Sequence, residues 1–268
     1  MSSPLFSAED LATEISSLPP MVNSLLRLSE LVNTSDYSLQ EVEEIICLDQ
    51  SLSMDTLRFA NSAESAAQHR IGSIRESLIR LGASRIFQFL FSRWLRGTVK
   101  IPLLAYGISQ VEFWKHGIII GLAYADLRES DAPDPADFTV GMLHDIGKVA
   151  LSHMASHLRM EIDWSNLSDG PELAQAELDL CGMTHGEIGA AILDHWHFPQ
   201  HQIDTARAMG SKYLDQSRIG KAHRVEKWIH VMELEKHPEP IDLQNIPEVL
   251  ANKVLQDFKA ISNAMGVS

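Results

Sequence analysis

Two cysteines in 268 residues, Cys47 and Cys181, are too few for a disulfide framework and point to a reducing compartment. Basic charge is scarce as well: 22 Lys plus Arg against 36 Asp plus Glu give a formal net charge of −14. A field of that sign repels phosphate backbones and anionic headgroups, so neither bulk nucleic acid nor a membrane surface is an expected partner. Long apolar runs are missing. The longest, Gly117 to Ala125, is too short to span a bilayer. The opening Met1-Ser-Ser-Pro-Leu-Phe6 lacks the basic start and apolar centre of a secretion signal, which makes the cytoplasm the expected location. Strand signals are sparse too: no strict alternation fills a strand, and no Asn-Gly pair marks a hairpin.

What is present reads as helix. Hydrophobic residues at 45% and charged residues at 22% are ordinary globular values. Met21, Leu25, Leu28 and Val32 recur at helical intervals, and Leu39, Val42, Ile45 and Ile46 form the next stripe behind Ser38, a cap-type residue. Asp49 caps a third segment, and Ser73 to Leu81 is stopped by Gly82. The chain is expected to be all-α. The stretch from Gly97 to Pro102 divides it into an N-terminal helical lobe over 1–105 and a second lobe over 106–268, the two sharing one core. Arg75, Arg80 and Arg85 form a local basic patch suited to a nucleotide phosphate or a partner, although scattered surface arginines are commoner.

Twelve histidines are more than a chain of this length usually carries, so their spacing matters. In Gly141-Met-Leu-His144-Asp145-Ile-Gly147-Lys148, adjacent imidazole and carboxylate can reach one cation if the backbone bends there. Lys148 adds a point charge suited to a phosphate. Trp114-Lys-His116 lies at the edge of the apolar helix before it. Downstream, His185-Gly-Glu-Ile-Gly189-Ala190 opens another helix, capped by Thr184 or Asp179, whose small residues permit a close crossing. His153 and His157 stand four apart without a third ligand, and His195, His197 and His201 flank the packing residues Trp196 and Phe198. Surface roles suit both groups. Asn61-Ser62 is read as structural, satisfying backbone groups where a helix stops.

Taken together, these blocks resemble the HDOD family, a branch of the HD-type metal-dependent phosphohydrolase superfamily. The likeness runs from about Leu18 to Glu235. It covers Leu18-Pro-Pro20, Asp49 to Ala63, Ser73 to Gly82, Trp114 to His116, Gly141 to Lys148 and His185 to Pro199. The resemblance implies an HD-like helical bundle with a packed N-terminal lobe. It also implies metal ligands at His116, His144, Asp145 and His185, with Asp145 and Lys148 as the reacting groups of any hydrolysis. Glu233, in Ile229-His230-Val-Met232-Glu233, is the candidate for the carboxylate of a later helix. The His-His pair that metal-binding members often carry after Trp-x-x-Pro is absent; that place reads Ala206-Arg-Ala-Met209-Gly210.

Those ligands would serve one divalent transition metal (Mn, Fe, Ni or Zn) and fall short of a two-metal centre. The expectation is a bacterial signal-transduction module with an at most mononuclear site. Its partner would be a signalling protein or a phosphate-containing small molecule, including those of cyclic-dinucleotide pathways. The alternative is an active metal-dependent phosphohydrolase acting on a nucleotide or another phosphate ester.

Overall fold

Short polar side chains start helices where the chain supplies them. Ser38, Asp49, Ser73 and Thr184 each accept a backbone N–H from the turn that follows. The computed structural model describes residues 8–18, 21–32, 36–62, 70–100, 103–128, 135–167, 170–211, 217–234, 243 and 246–266. The N-terminal helices are α1 (Ala8–Ser17), α2 (Asn23–Val32), α3 (Leu39–Cys47), α4 (Gln50–Ala60), α5 (Ile74–Leu81) and α6 (Ala83–Thr98). After a 3-10 turn at Leu104–Tyr106 come α7 (Gln110–Asp126), α8 (Pro135–Leu143), α9 (Ile146–His157) and α10 (Pro171–Cys181). The last are α11 (His185–His195), α12 (Gln200–Ser211), α13 (Arg218–Leu234) and α14 (Glu248–Met265). Among the described residues β-pairing is confined to one bridge, Leu103 with Ile108. The fold is an all-α bundle, as expected, with the N-terminal helices packed on the later ones around one core.

Aromatic contacts tie α6 to its neighbours. Phe59 of α4 stacks on Phe89 with centroids 4.3 Å apart, Phe91 meets Phe138 of α8 edge-on, and Trp94 meets Trp196 at the end of α11. Each of the fully buried phenylalanine rings contributes about 1.5–3 kcal/mol, and Trp94 is half-buried. Polar contacts add α14 to the same face: Arg85 pairs with Asp257 at 3.1 Å, and Arg96 donates to the Met265 carbonyl at 2.6 Å. One contiguous apolar core runs from Leu11 to Met265. The basic patch read from the sequence is largely neutralised, because Arg75 pairs with Glu43 and Arg85 with Asp257. Asn61 is structural as expected, bridging the Leu57 carbonyl and both backbone groups of Ile71.

Two glycine contacts position the chemistry. A Cβ on Gly121 of α7 would lie 2.8 Å from the Phe138 carbonyl oxygen, and one on Gly141 of α8 would lie 2.9 Å from Gly121 Cα. The helices therefore cross backbone against backbone. That brings His116, one residue before Gly117 on α7, beside His144 at the end of α8. At the second contact, α9 meets α11: a Cβ on Gly147 would fall 1.9 Å from the His185 carbonyl oxygen. No described helix is long and apolar enough to cross a membrane.

Candidate metal centre

His144 and Asp145 occupy the turn between α8 and α9, with Asp145 at the N-cap position of α9. Both are buried, at 4% exposure. Lys148, one turn on and 1% exposed, donates from Nζ to Asp145 Oδ2 at 2.7 Å. A lysine so enclosed is expected only with an anion beside it.

Three further helices bring imidazoles to this turn. His116 of α7 sets its Nε2 3.2 Å from His144 Nε2 and 3.4 Å from Asp145 Oδ2. His144 Nε2 lies 3.5 Å from Asp145 Oδ1, and His185 Nε2 of α11 lies 3.5 Å from the same oxygen. His223 of α13 completes the group, its ring centroid 5.2 Å from that of His116 and 5.5 Å from that of His144. One ring nitrogen from each of His116, His144 and His223 falls within 4.8 Å of the other two.

The outward nitrogens explain why the inner ones face each other. His144 Nδ1 donates to the Gly141 carbonyl at 2.7 Å, and His116 Nδ1 donates to Glu226 Oε1 at 2.7 Å. A carbonyl and a carboxylate can only accept, so in neutral rings both Nε2 atoms carry inward lone pairs. Two such lone pairs 3.2 Å apart repel unless a proton or cation lies between them. In the metal-free protein a proton serves. Burial opposes charge on His116, but Glu226 and Asp145 outweigh it and push its pKa up to about 10. Burial pushes His144 down to about 3 against the pull of Asp145. Asp145 is held well below the usual carboxylate range: burial alone would raise it, and His144, Lys148, His116 and His185 outweigh that.

Behind His185 stands a second buried carboxylate. Glu177 of α10, fully buried, accepts from the His185 backbone N–H and from His185 Nδ1, each at 2.8 Å. It also accepts from the Tyr106 hydroxyl at 2.8 Å. Burial and the Glu177 charge raise the Tyr106 pKa well above the usual phenol value.

The donor set fits a divalent ion. Nitrogen ligands about 2.0–2.1 Å from a tetrahedral zinc stand roughly 3.3–3.4 Å apart, close to the 3.2–3.5 Å separations around Asp145. Each inner imidazole is braced from outside, as ligating histidines are. His116, His144 and Asp145 would hold the ion, which when bound supplies Lewis-acid polarisation.

All four of the sequence candidates His116, His144, Asp145 and His185 are therefore gathered at one turn, with Lys148 on Asp145. The side chain of Glu233 lies outside the described residues. Among the described residues, Glu226, two helical turns earlier, is a carboxylate that α13 brings to the site. Sequence reasoning missed His223, Glu226 and Glu177. The signal for the first two is a duplicated pattern, His223-x-x-Glu226 and His230-x-x-Glu233, offset by seven residues and so on nearly the same helix face. Of the two histidines, His230 is exposed. His195, His197 and His201 are exposed over buried Trp196 and Phe198, and His153 pairs with Glu14 of α1. Ala206 and Met209 are core residues.

The HDOD domain family model matches residues 18–210, most of the chain. The protein belongs to the HDOD family. Among curated relatives, an uncharacterized protein of Treponema pallidum (strain Nichols) is 25% identical over 75% of this chain and 39% of its own length. Protein YuxH of Bacillus subtilis (strain 168) is 26% identical over 85% of this chain and 50% of its own. The chain thus spans half or less of these relatives. Solved structures share the fold. A "putative phosphohydrolase" of Shewanella amazonensis SB2B matches with a TM-score of 0.62 at 19% identity, covering 96% of this chain and 98% of that one. A "putative signal transduction protein" of Marinobacter aquaeolei VT8 gives 0.67 at 16% identity, over 97% and 65%. An HDOD domain protein of unknown function from Geobacter sulfurreducens gives 0.56 at 22%, over 94% and 89%.

Proposed function

We propose that this HDOD protein is a bacterial, cytoplasmic signal-transduction module, divided into lobes 1–105 and 106–268, whose centre holds at most one divalent transition metal. The observation that carries this reading is the state of Asp145. A two-metal phosphohydrolase needs a carboxylate bridging ions about 3.5–4 Å apart. Here one oxygen of that carboxylate is already taken by the buried Lys148 ammonium. Among the described residues, the ligand groups that gather closely enough for an ion, His116, His144 and His223 with Asp145 beside them, surround a single position. Two clefts, of about 510 and 530 Å³, are lined by none of the site residues. The partner is a signalling protein or a phosphate-containing small molecule, with cyclic-dinucleotide signalling as one setting.

The alternative, hydrolysis of a phosphate ester, is favoured by the ligand-like spacing around Asp145 and by Lys148, whose charge would sit beside a bound phosphate. Metal stoichiometry and turnover on nitrophenyl mono- and diesters, with added Mn, Fe, Ni or Zn, separate the two. The regulatory reading expects one ion per chain or none, and no hydrolysis above that of Asp145→Ala. Two ions per chain, or turnover that Asp145→Ala abolishes, would overturn it.

A further inference from the structure

The α13 helix brings more than a carboxylate to the centre. Resting on the mononuclear reading above, we infer that His223 is the third nitrogen ligand of the site and that the site selects zinc-class ions over magnesium and manganese. One ring nitrogen of His223 lies within 4.8 Å of those of both His116 and His144. The brace is shared: Glu226 receives His116 Nδ1 on Oε1 at 2.7 Å and faces His223 Nδ1 with Oε2 at 3.5 Å. A single carboxylate thereby orients two rings from different helices, leaving the Nε2 of each as the atom able to bind an ion.

The division of labour decides the metal class. Glu226 is engaged with two imidazoles, and Asp145 shares its charge with Lys148. Glu226 is thus occupied in orienting rings and one Asp145 oxygen in pairing with Lys148, so imidazole nitrogen predominates among the donors left for an ion. Magnesium and manganese favour carboxylate, carbonyl and water oxygen, whereas imidazole suits zinc, nickel, copper and iron. Three imidazoles and one Asp145 oxygen would make up a tetrahedral shell.

The test titrates the chelator-stripped full-length protein with Zn²⁺, Mn²⁺ and Mg²⁺ in competition with a chromophoric chelator. Zinc is expected to bind at least about 100-fold more tightly than manganese or magnesium. His223→Ala should lose about 100-fold or more in zinc affinity, beyond the usual effect of an outer-shell change. His223→Asp should narrow the zinc-over-manganese ratio at least about tenfold. His230→Ala, at an exposed position on the same helix, should leave zinc affinity unchanged. Should the His223 variants fail to fold, zinc-edge X-ray absorption on the wild-type protein counts imidazoles directly. Three is the expected number, and two would overturn the assignment, as would a manganese or magnesium preference. Absence of tight binding by all three ions sinks this inference and leaves a metal-free regulatory module standing. Asp145-dependent hydrolysis would sink the regulatory reading and leave the zinc preference intact.

Discussion

Gly147 and His185 meet with no room for a side chain: a Cβ on Gly147 would stand 1.9 Å from the His185 carbonyl oxygen. Real Cβ atoms do not approach so closely, so Gly147→Ala must push α9 away from α11. The expected loss is about 3 kcal/mol or more in chemical denaturation. Gly97, in the last turn of α6, has nothing within 4 Å of its Cβ position. Gly97→Ala should be neutral or stabilise by up to about 1 kcal/mol. Equal effects of the two substitutions would show that the α9–α11 contact is looser than described.

Asp145 and Lys148 form a pair in which each needs the other. Asp145→Asn leaves the 1%-exposed Lys148 ammonium without its carboxylate, at an expected cost of about 3–5 kcal/mol in the chelator-treated protein. Lys148→Met fills a similar volume without charge. It should cost less than Asp145→Asn, because Asp145 keeps its imidazole neighbours. Urea unfolding of both variants checks the order, and a reversed order would count against Lys148 as the principal counter-ion.

The Tyr106–Glu177–His185 chain is graded. Glu177→Gln places an amide N–H₂ where donors converge, with an expected loss of about 1–3 kcal/mol. Tyr106→Phe removes one donor and leaves Glu177 the two from His185, so about 1 kcal/mol is expected. Thermal melts of the two variants and of their combination measure the coupling. Strict additivity would contradict a shared carboxylate.

The two thiols should separate chemically. Burial, aided by the Glu177 charge, pushes Cys181 up to about 12, whereas Cys47 is exposed. Iodoacetamide in the native state at pH 8 should label Cys47 and spare Cys181, because only the thiolate reacts. Native labelling of Cys181 should climb about tenfold per pH unit towards 12 for as long as the fold holds. The linkage has a definite sign. The folded thiol keeps its proton to a higher pH than the unfolded one, so this group costs no stability below about pH 9. Stability is then lost progressively as pH rises from 9 towards 12. Rapid native labelling of Cys181 at pH 8 would contradict its placement.

Several helix starts were readable because they rest on a local signal: Ser38, Asp49, Ser73 and Thr184 cap through their own side chains. The His144-Asp145 turn was readable for the same reason, its neighbours Gly141, Gly147 and Lys148 lying within one short segment. His223 and Glu226 were not. His-x-x-Glu occurs twice on α13, and which histidine turns inward, His223 rather than the exposed His230, depends on how that helix sits against α7, which adjacent sequence does not encode. Glu177 was equally hidden. On a helix written Glu-Leu-Ala-Gln-Ala-Glu, an acid reads as a solvated charge until Tyr106 arrives from a segment 71 positions earlier. The partners of the basic patch were hidden for a similar reason: the anions that meet Arg75 and Arg85, Glu43 and Asp257, come from other segments, which fits the commoner reading of scattered surface arginines.

Lys148 has one further consequence. An ammonium sealed among helices is a resident counter-ion that dialysis cannot remove, so part of the pocket's electrical balance never depends on supply from the medium. The burial of Lys148 against Asp145 therefore fixes one charge of the pocket in the fold itself, whatever else the pocket holds.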